Sequence, residues 1–148
     1  MEALAWPARS IWTSTPEPGF WYVLDRAIAH RAGITIAGPP AGQLFNDIAM
    51  DVLLDAMQHS MRWHRDHEGA TLYSVLNACR AWRFAAEDAL GSKLEGAAWA
   101  RPRWAHPELI DSAVALRHGH FADLEASEVY EFLEYVEGVI SSAIKERR

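Results

Sequence analysis

The feature that most constrains the fold is the recurrence of apolar residues at helical spacing along nearly all of the chain after residue 40. Apolar residues three and four apart share one face of an α-helix, and that face must be buried against a partner. The segment from Ser127 to about Lys145 is the clearest case, with a stripe of Val129, Phe132, Leu133, Val136, Ile140 and Ala143. The pattern predicts an all-α fold, a helical bundle of about five helices.

Glycine, proline and capping residues set the expected helix boundaries. The first helix is expected from about Phe20 to a stop at Gly33. A second helix is expected to start at Asn46 or Asp47 and to end near His64. After a break at Gly69, a third helix is expected with Thr71 as its cap and an end at Gly91–Ser92. A short helix closed by Arg101–Pro102 and a helix from Pro107 to Gly119 follow.

One short strand is expected near the N-terminus. Residues Ile34–Ala37 are mostly β-branched and precede Gly38, Pro39 and Pro40, a pattern typical of a buried strand that ends in a turn. A lone strand leaves backbone amides and carbonyls unpaired. We therefore expect it to pair with the same strand of a second copy, giving a homodimer, or with a strand folded from Met1–Ile11.

Composition excludes several classes of protein. The chain has 148 residues, of which 50% are hydrophobic and 23% charged, so one compact domain is expected and not a disordered chain. No window approaches 20 uninterrupted apolar residues, which argues against a membrane span. Cys79 is the one cysteine, which favours a reducing cytoplasm and excludes a disulfide framework. The net charge of −6 disfavours general nucleic-acid binding.

The densest polar cluster runs from Arg62 to Glu68 and allows several interpretations. His64 and His67 with Asp66 or Glu68 have the spacing of metal ligands, but flanking arginines oppose a cation, and a solvated helix end is the simpler interpretation. Arg62 and His67 resemble the arginine–histidine pair of ribonucleases of the HEPN family, which stabilises and protonates a phosphate in transfer. The residues alone predict no metal site and no catalytic residue.

A third interpretation makes the same region a binding surface for a small cationic ligand. Asp66 and Glu68 lie near Trp63 and Tyr73 in sequence, so two carboxylates and two aromatic rings could form one pocket wall. Carboxylates pair with ammonium groups, and an aromatic face covers the apolar side of a sugar ring. Such a wall would suit a polycationic small molecule.

Basic residues farther along the chain suggest a different ligand. Arg80, Arg83 and Lys93 lie in and just after the second long helix, where they could bind phosphate. Arg83 is placed more simply as a surface partner of Glu87, four residues away. A glycine-rich phosphate loop is not recognisable anywhere in the sequence.

The order of several segments resembles aminoglycoside adenylyltransferases of the streptomycin and spectinomycin type, which confer antibiotic resistance. The resemblance covers about Phe20 to the C-terminus. It rests on FWYVLDRAIAHRAGITIAGPP at Phe20–Pro40, AGQLF at Ala41–Phe45, LNACRAWRFA at Leu76–Ala85, KLEGAAWA at Lys93–Ala100 and FLEYVEGVI at Phe132–Ile140.

The resemblance implies a division of the chain. Residues 1–19 would be an irregular segment, residues 20–40 a helix and strand from the junction with a nucleotidyltransferase domain, and residues 41–148 the helical C-terminal domain. The family's Gly-Ser motif and paired acids have no match here, so the resemblance implies a stand-alone homologue of the substrate-binding domain. Such a chain is expected to be inactive as a transferase alone, with ATP and Mg²⁺ used only if a catalytic domain is supplied.

The resemblance also assigns site residues. Arg80 and Lys93 fall on positions where similar enzymes place basic side chains against the triphosphate. Asp66 falls on an acidic drug-binding position, and Trp63 lies one residue from an aromatic one. Together with Glu68 and Tyr73 from the pocket wall, these are the candidate binding residues.

Three positions depart from the family's pattern. Ala70 replaces a second drug-binding acid, Tyr73 replaces a neighbouring polar contact, and Arg117 replaces a tyrosine that contacts adenine. Losing a carboxylate that meets an ammonium group costs a few kcal/mol at a desolvated site, on the order of 2 to 5 kcal/mol. Streptomycin-type recognition is therefore expected to be weakened.

Two alternative functions follow from other resemblances. Helical domains of this kind resemble the partners of minimal nucleotidyltransferases in two-component systems, so the chain could be a protein–protein module that binds a separate catalytic chain. The pair Arg62 and His67 predicts instead an RNA-processing domain similar to the HEPN family.

Overall fold

Residues 18–147 are described by a computed structural model and consist mainly of helices. Residues 1–17 and 148 lie outside the described part, and with them most of the expected irregular segment 1–19 and the proposed strand at Met1–Ile11. The helices are α1 (Gly19–Ala32), α2 (Ala41–Leu44), α3 (Met50–His67), α4 (Leu72–Glu87), α5 (Lys93–Ala100), α6 (Pro107–Arg117) and α7 (Ala126–Arg147), with a 3₁₀ turn at Arg101–Arg103.

The prediction of an all-α bundle is confirmed, but the helix count and the strand were wrong. Seven α-helices occur between residues 18 and 147, not about five, and that part of the chain contains no strand. Ile34 and Ile36 are 92% and 97% exposed. A strand needs a neighbouring strand for its backbone hydrogen bonds, and residues 18–147 offer none, so this segment forms an irregular loop with bends at residues 36–39.

Helix α4 is the centre of the bundle. It packs against α3, α5, α6 and α7, so most of its circumference is buried. Its side chains Val75, Leu76, Cys79 and Phe84 are fully buried. A helix that is apolar on nearly all sides is stable only inside a core, because each large buried side chain contributes roughly 1.5–3 kcal/mol.

Capping residues set the starts of α4 and α5, which are joined by a short loop. Thr71 caps α4 through its side-chain oxygen, which accepts a hydrogen bond from the Ser74 amide. Ser92 and Glu95 form a reciprocal capping box that begins α5. α5 then lies so close to α4 that a Cβ atom on Gly96 would lie 2.8 Å from the Arg80 backbone. The glycine is what permits this approach.

The start of α3 differs from the expectation. Asn46 and Asp47 do not cap it; the helix begins at Met50, and no side chain caps its N-terminus. Asp47 lies 3.5 Å from Arg31 of α1, which also donates to Asp88 at 3.0 Å. Asp47 lies two residues before Ala49, the residue at the N-cap position, and its Oδ1 accepts a hydrogen bond from the adjacent Ile48 amide at 2.9 Å.

Two tryptophans pack against each other at the core. Trp82 is buried and Trp99 is half-buried against the core, with their rings perpendicular and 5.3 Å apart. Edge-to-face contact of this kind is favourable beyond simple burial. Across residues 18–147, none of the helices has the length and apolar content required to cross a bilayer.

Candidate functional site

Two arginines, each on a different helix, act through their charges on Lys93 of a third helix at one end of the bundle. Arg80 projects from α4, Lys93 is the first residue of α5, and Arg117 is the last residue of α6. Burial lowers the pKa of Lys93, and the nearby charges of Arg80 and Arg117 lower it further, whereas Glu68 raises it. Like charges at close range disfavour the protonated amine. The cluster therefore has excess positive charge.

Arg80 is the most enclosed of these cations. With Asn77 and Leu24 it lines a narrow crevice between α1, α3 and α4, and only part of its surface is exposed. Burial lowers the pKa of the guanidinium below its usual value, while the charge of Asp25 on α1 raises it. Arginine at that position keeps its charge because its ordinary pKa is so high.

Glu68 and Tyr73 border the same cluster. The Nζ atom of Lys93 lies 5.2 Å from the centre of the Tyr73 ring, which is a cation–π contact. Oε2 of Glu68 accepts a hydrogen bond from Nδ1 of the buried His64, and the two atoms lie 2.6 Å apart. The carboxylate of Glu68 is thus already paired, although its charge still acts on Lys93.

Trp63 faces the opposite side, toward α1. Its ring stacks on His67 with centroids 4.7 Å apart and meets the edge of Trp21 at 5.7 Å. Trp21 also lies edge-on to the His64 ring at 5.5 Å. Trp63 is therefore connected to the basic cluster through His64, not by direct contact.

Asp66 is directed toward the surface. Its carboxylate accepts a hydrogen bond from Nε of Arg65 at 3.1 Å, and Arg65 also donates to Glu137 of α7 at 2.8 Å. These two hydrogen bonds and the acidic charges raise the pKa of Arg65, with the bond to Asp66 the largest contribution. Asp66 and Glu68 point to different partners, so they do not form one acidic wall.

Of the candidate residues, the structure brings Glu68, Tyr73, Arg80 and Lys93 together. Three further contributors were not among the candidate binding residues: Asn77, Arg117, which was noted only as a departure from the family's pattern, and His64, which was considered only as a metal ligand. His64 and Glu68 are four residues apart on one helical turn, and Asn77 is three residues before Arg80, so helical spacing could have linked each pair. Nothing in the sequence spacing could have linked Arg117 to Lys93, because that contact depends on how α6 packs.

The residues of the metal and ribonuclease interpretations are occupied by other contacts. Both ring nitrogens of His64 are engaged, Nδ1 with Glu68 and Nε2 with Asn77 at 2.8 Å. His67 uses Nδ1 toward the backbone carbonyl of Trp63 at 2.9 Å. Arg62 is exposed, and the structure contains no hydrogen bond joining it to His67.

Two other cavities lie away from these side chains. A shallow groove of about 760 Å³ runs between the C-terminal halves of α4 and α7, and a pocket of about 290 Å³ lies between α5 and α6. The larger groove is lined by small residues such as Ala85 and Gly138 together with charged residues such as Glu134 and Arg147. We place the candidate site at the basic cluster and not at either of these cavities, because the charges of Arg80 and Arg117 both act on Lys93 there.

Comparison with known proteins supplies the identity of the domain. Searching curated proteins finds no match to the chain. Residues 43–139, about two-thirds of the chain, match the family described as aminoglycoside adenylyltransferase, C-terminal domain. The match spans α3, α4, α5 and α6 and most of α7, including every basic residue of the cluster. The chain belongs to the aminoglycoside adenylyltransferase C-terminal domain family.

Proposed function

We propose that this domain is the substrate-side half of a nucleotidyl transfer system and that Arg80, Lys93 and Arg117 bind the polyphosphate of a nucleotide. The observation that carries the proposal is the close packing of α5 on α4, where a Cβ atom on Gly96 would lie 2.8 Å from the Arg80 backbone and Nζ of Lys93 lies 5.2 Å from the Tyr73 ring. At this place the charges of Arg80, Arg117 and Glu68 all act on Lys93. A polyphosphate supplies several negative charges in a small volume, and charge-assisted hydrogen bonds to such groups are among the strongest.

The chemistry of the cluster favours an anion over an aminoglycoside. The acids that could meet ammonium groups are already paired: Glu68 with His64, and Asp66 with Arg65. A cationic drug would have to displace these partners and approach Lys93. Streptomycin and spectinomycin are therefore the comparison ligands in the experiment, and we expect them to bind far more weakly than inorganic triphosphate.

Catalysis by this domain alone is not part of the proposal. ATP would react, with Mg²⁺ bound, on a separate nucleotidyltransferase domain or chain. In such systems that domain or chain supplies the acids that hold the metal. The helical domain would contribute binding energy to the triphosphate and orient it. Adenylylation of any aminoglycoside by the isolated chain would overturn this division of roles.

Isothermal calorimetry with inorganic triphosphate and with ATP–Mg²⁺ tests the proposal. Lys93→Ala is expected to weaken triphosphate binding about tenfold or more, the usual loss for one charge-assisted contact. Lys145→Ala is the matched control, because Lys145 is an exposed lysine in the last turn of α7. Equal affinity for all three proteins, or no heat at millimolar triphosphate, would refute the proposal.

A second candidate function is a protein–protein module, favoured by the exposed segment around Ile34 and Ile36. Two almost fully exposed isoleucines are unusual on the surface of a lone domain. A partner strand from a separate minimal nucleotidyltransferase chain, or from a second copy of this chain, could cover them. Light scattering of the wild type and of an Ile34→Ser/Ile36→Ser variant separates these cases: a dimer in the wild type that is lost in the variant supports self-pairing.

A further inference from the structure

A continuous set of side-chain contacts runs from the surface to the enclosed cation of the proposed site. Oε2 of Glu68 lies 2.6 Å from Nδ1 of His64, and Nε2 of His64 lies 2.8 Å from Nδ2 of Asn77. Oδ1 of Asn77 then lies 3.5 Å from Nη2 of Arg80, at the long limit of a hydrogen bond. His64 and Asn77 are both buried, so their polar atoms must find partners within the protein.

The donor and acceptor at each step are set by Arg80. A guanidinium has only donors, so the Asn77 atom that faces it must be the carbonyl oxygen. The amide nitrogen of Asn77 consequently faces His64 and donates to Nε2. Nε2 must then be unprotonated, which leaves the single proton of a neutral imidazole on Nδ1, where it is donated to Glu68.

We infer that His64 is a positioning residue for Arg80: held by Glu68, it fixes the amide of Asn77 so that the oxygen points at the guanidinium. This inference rests on the proposed function, since it assigns His64 a role in presenting Arg80 to a polyphosphate. Without that oxygen, the guanidinium loses the partner that anchors it from α4 and is free to turn away from Lys93 and the ligand.

The arrangement makes the site sensitive to protonation of His64. An imidazolium carries a proton on Nε2 as well, so Nε2 would face the amide donor of Asn77. Rotating the amide offers its oxygen to His64 but turns its NH₂ group toward Arg80, where two donors face each other. The other groups around these side chains are Trp21 from α1, which does not titrate, Asp25, which acts on Arg80, and Lys93, which acts on Glu68.

The test compares His64→Gln and His64→Leu with the wild type by calorimetry with inorganic triphosphate, at about pH 8 and at about pH 5.5, because the lower pH favours an imidazolium. In His64→Gln the side-chain oxygen can accept from Asn77 but does not titrate. The ratio of wild-type to His64→Gln dissociation constants is expected to be near one at the higher pH and to rise about fivefold at the lower. Protonation of triphosphate affects both dissociation constants equally at a given pH, so it does not change their ratio.

His64→Leu is expected to bind about fivefold more weakly than the wild type at the higher pH, because nothing then holds the Asn77 amide. A ratio that stays flat with pH, together with normal binding by His64→Leu, would overturn the inference. The proposed function would survive that result if Arg80→Ala still lost binding, whereas a wild type that binds no triphosphate overturns both.

A second measurement needs no ligand and no variant. Long-range ¹H–¹⁵N spectra of the wild type report which ring nitrogen of His64 carries the proton. The Nδ1–H tautomer, which is the minor form of free neutral histidine, supports the inference. The Nε2–H tautomer would mean that the Asn77 oxygen faces His64 and not Arg80, and would overturn it.

Discussion

The contact between Gly96 and the backbone of α4 gives the sharpest prediction about stability. A Cβ atom added at Gly96 would lie 2.8 Å from both N and Cα of Arg80 and 3.1 Å from the carbonyl carbon of Cys79. These are backbone atoms of a buried helix, so no side-chain rotation relieves the overlap. Restoring a separation of 3.4 Å requires α5 to move away from α4 by at least 0.6 Å.

Two effects of opposite sign act in Gly96→Ala. Alanine stabilises a helix interior by about 1 kcal/mol relative to glycine. Overpacking against a rigid neighbour costs about 1–3 kcal/mol. The packing cost is expected to be the larger, because α5 makes its main contact with α4, and a shift there loosens the whole interface.

Gly138→Ala is a matched control that separates the two effects. Gly138 lies inside α7, and a Cβ added there would meet no atom within 4 Å. This variant therefore gains the helix preference without the overlap, and its unfolding free energy is expected to rise by about 0.5–1 kcal/mol. The difference between the two variants isolates the packing cost, expected at about 1–3 kcal/mol.

Urea unfolding of the wild type and both variants measures these free energies, with the slope checked for equality. Gly96→Ala is also expected to weaken triphosphate binding, since Lys93 moves with α5 away from Arg80, while Gly138→Ala leaves it unchanged. If the two variants gain the same stability, within about 0.5 kcal/mol, then α5 does not lie as close to α4 as described.

Two further predictions concern titrating groups. Burial raises the pKa of the Cys79 thiol to about 12. Iodoacetamide at about pH 8 is therefore expected to leave the native protein unlabelled and to label the protein in denaturant. Rapid labelling of the native protein would contradict this. The hydrogen bond from Arg101 lowers the pKa of Asp111, so its contribution to stability is present above about pH 4 and is lost as the pH falls through the folded value. Asp111→Asn is therefore expected to flatten the acid limb of stability against pH, and parallel curves for the two proteins would be the contrary result.

Much of the helical architecture could be predicted because it depends on local chemistry. Thr71 and Pro107 each set a helix start through interactions with their own neighbours in sequence, and both starts are found where expected. Gly91–Ser92 was expected to end α4, which ends instead at Glu87, and Ser92 caps the start of α5. The apolar stripe from Val129 to Ala143 is likewise buried. Such signals need no knowledge of the tertiary fold.

One error arose where distant residues decide the structure. Ile34–Ala37 has the composition of a strand, but β structure requires a partner, which local composition does not supply. There the tertiary environment overrides a valid local preference. Asp47 has the chemistry of a helix cap, but it lies two residues before Ala49, the residue at the N-cap position of α3.

The candidate site shows the same division. The resemblance pointed to Arg80 and Lys93, which lie only 13 positions apart and on helices joined by one short loop. Arg117 belongs to a third helix, so its approach to Lys93 depends on packing that periodicity does not reveal. Asn77 is, with Ser74, one of two buried polar residues in α4, and its partner on α3 became visible only with both helices in place.

The placement of the cations also determines how readily this domain could evolve a different ligand preference. Arg80 emerges from the central helix, between core positions and against the backbone of α5, so most exchanges there disturb packing as well as charge. Arg117 is exposed at the end of α6, where surface substitutions usually change stability by no more than about 0.5 kcal/mol. Mutational drift in specificity should therefore begin at the rim of the cluster, while the arginine at its centre stays fixed by the requirements of folding.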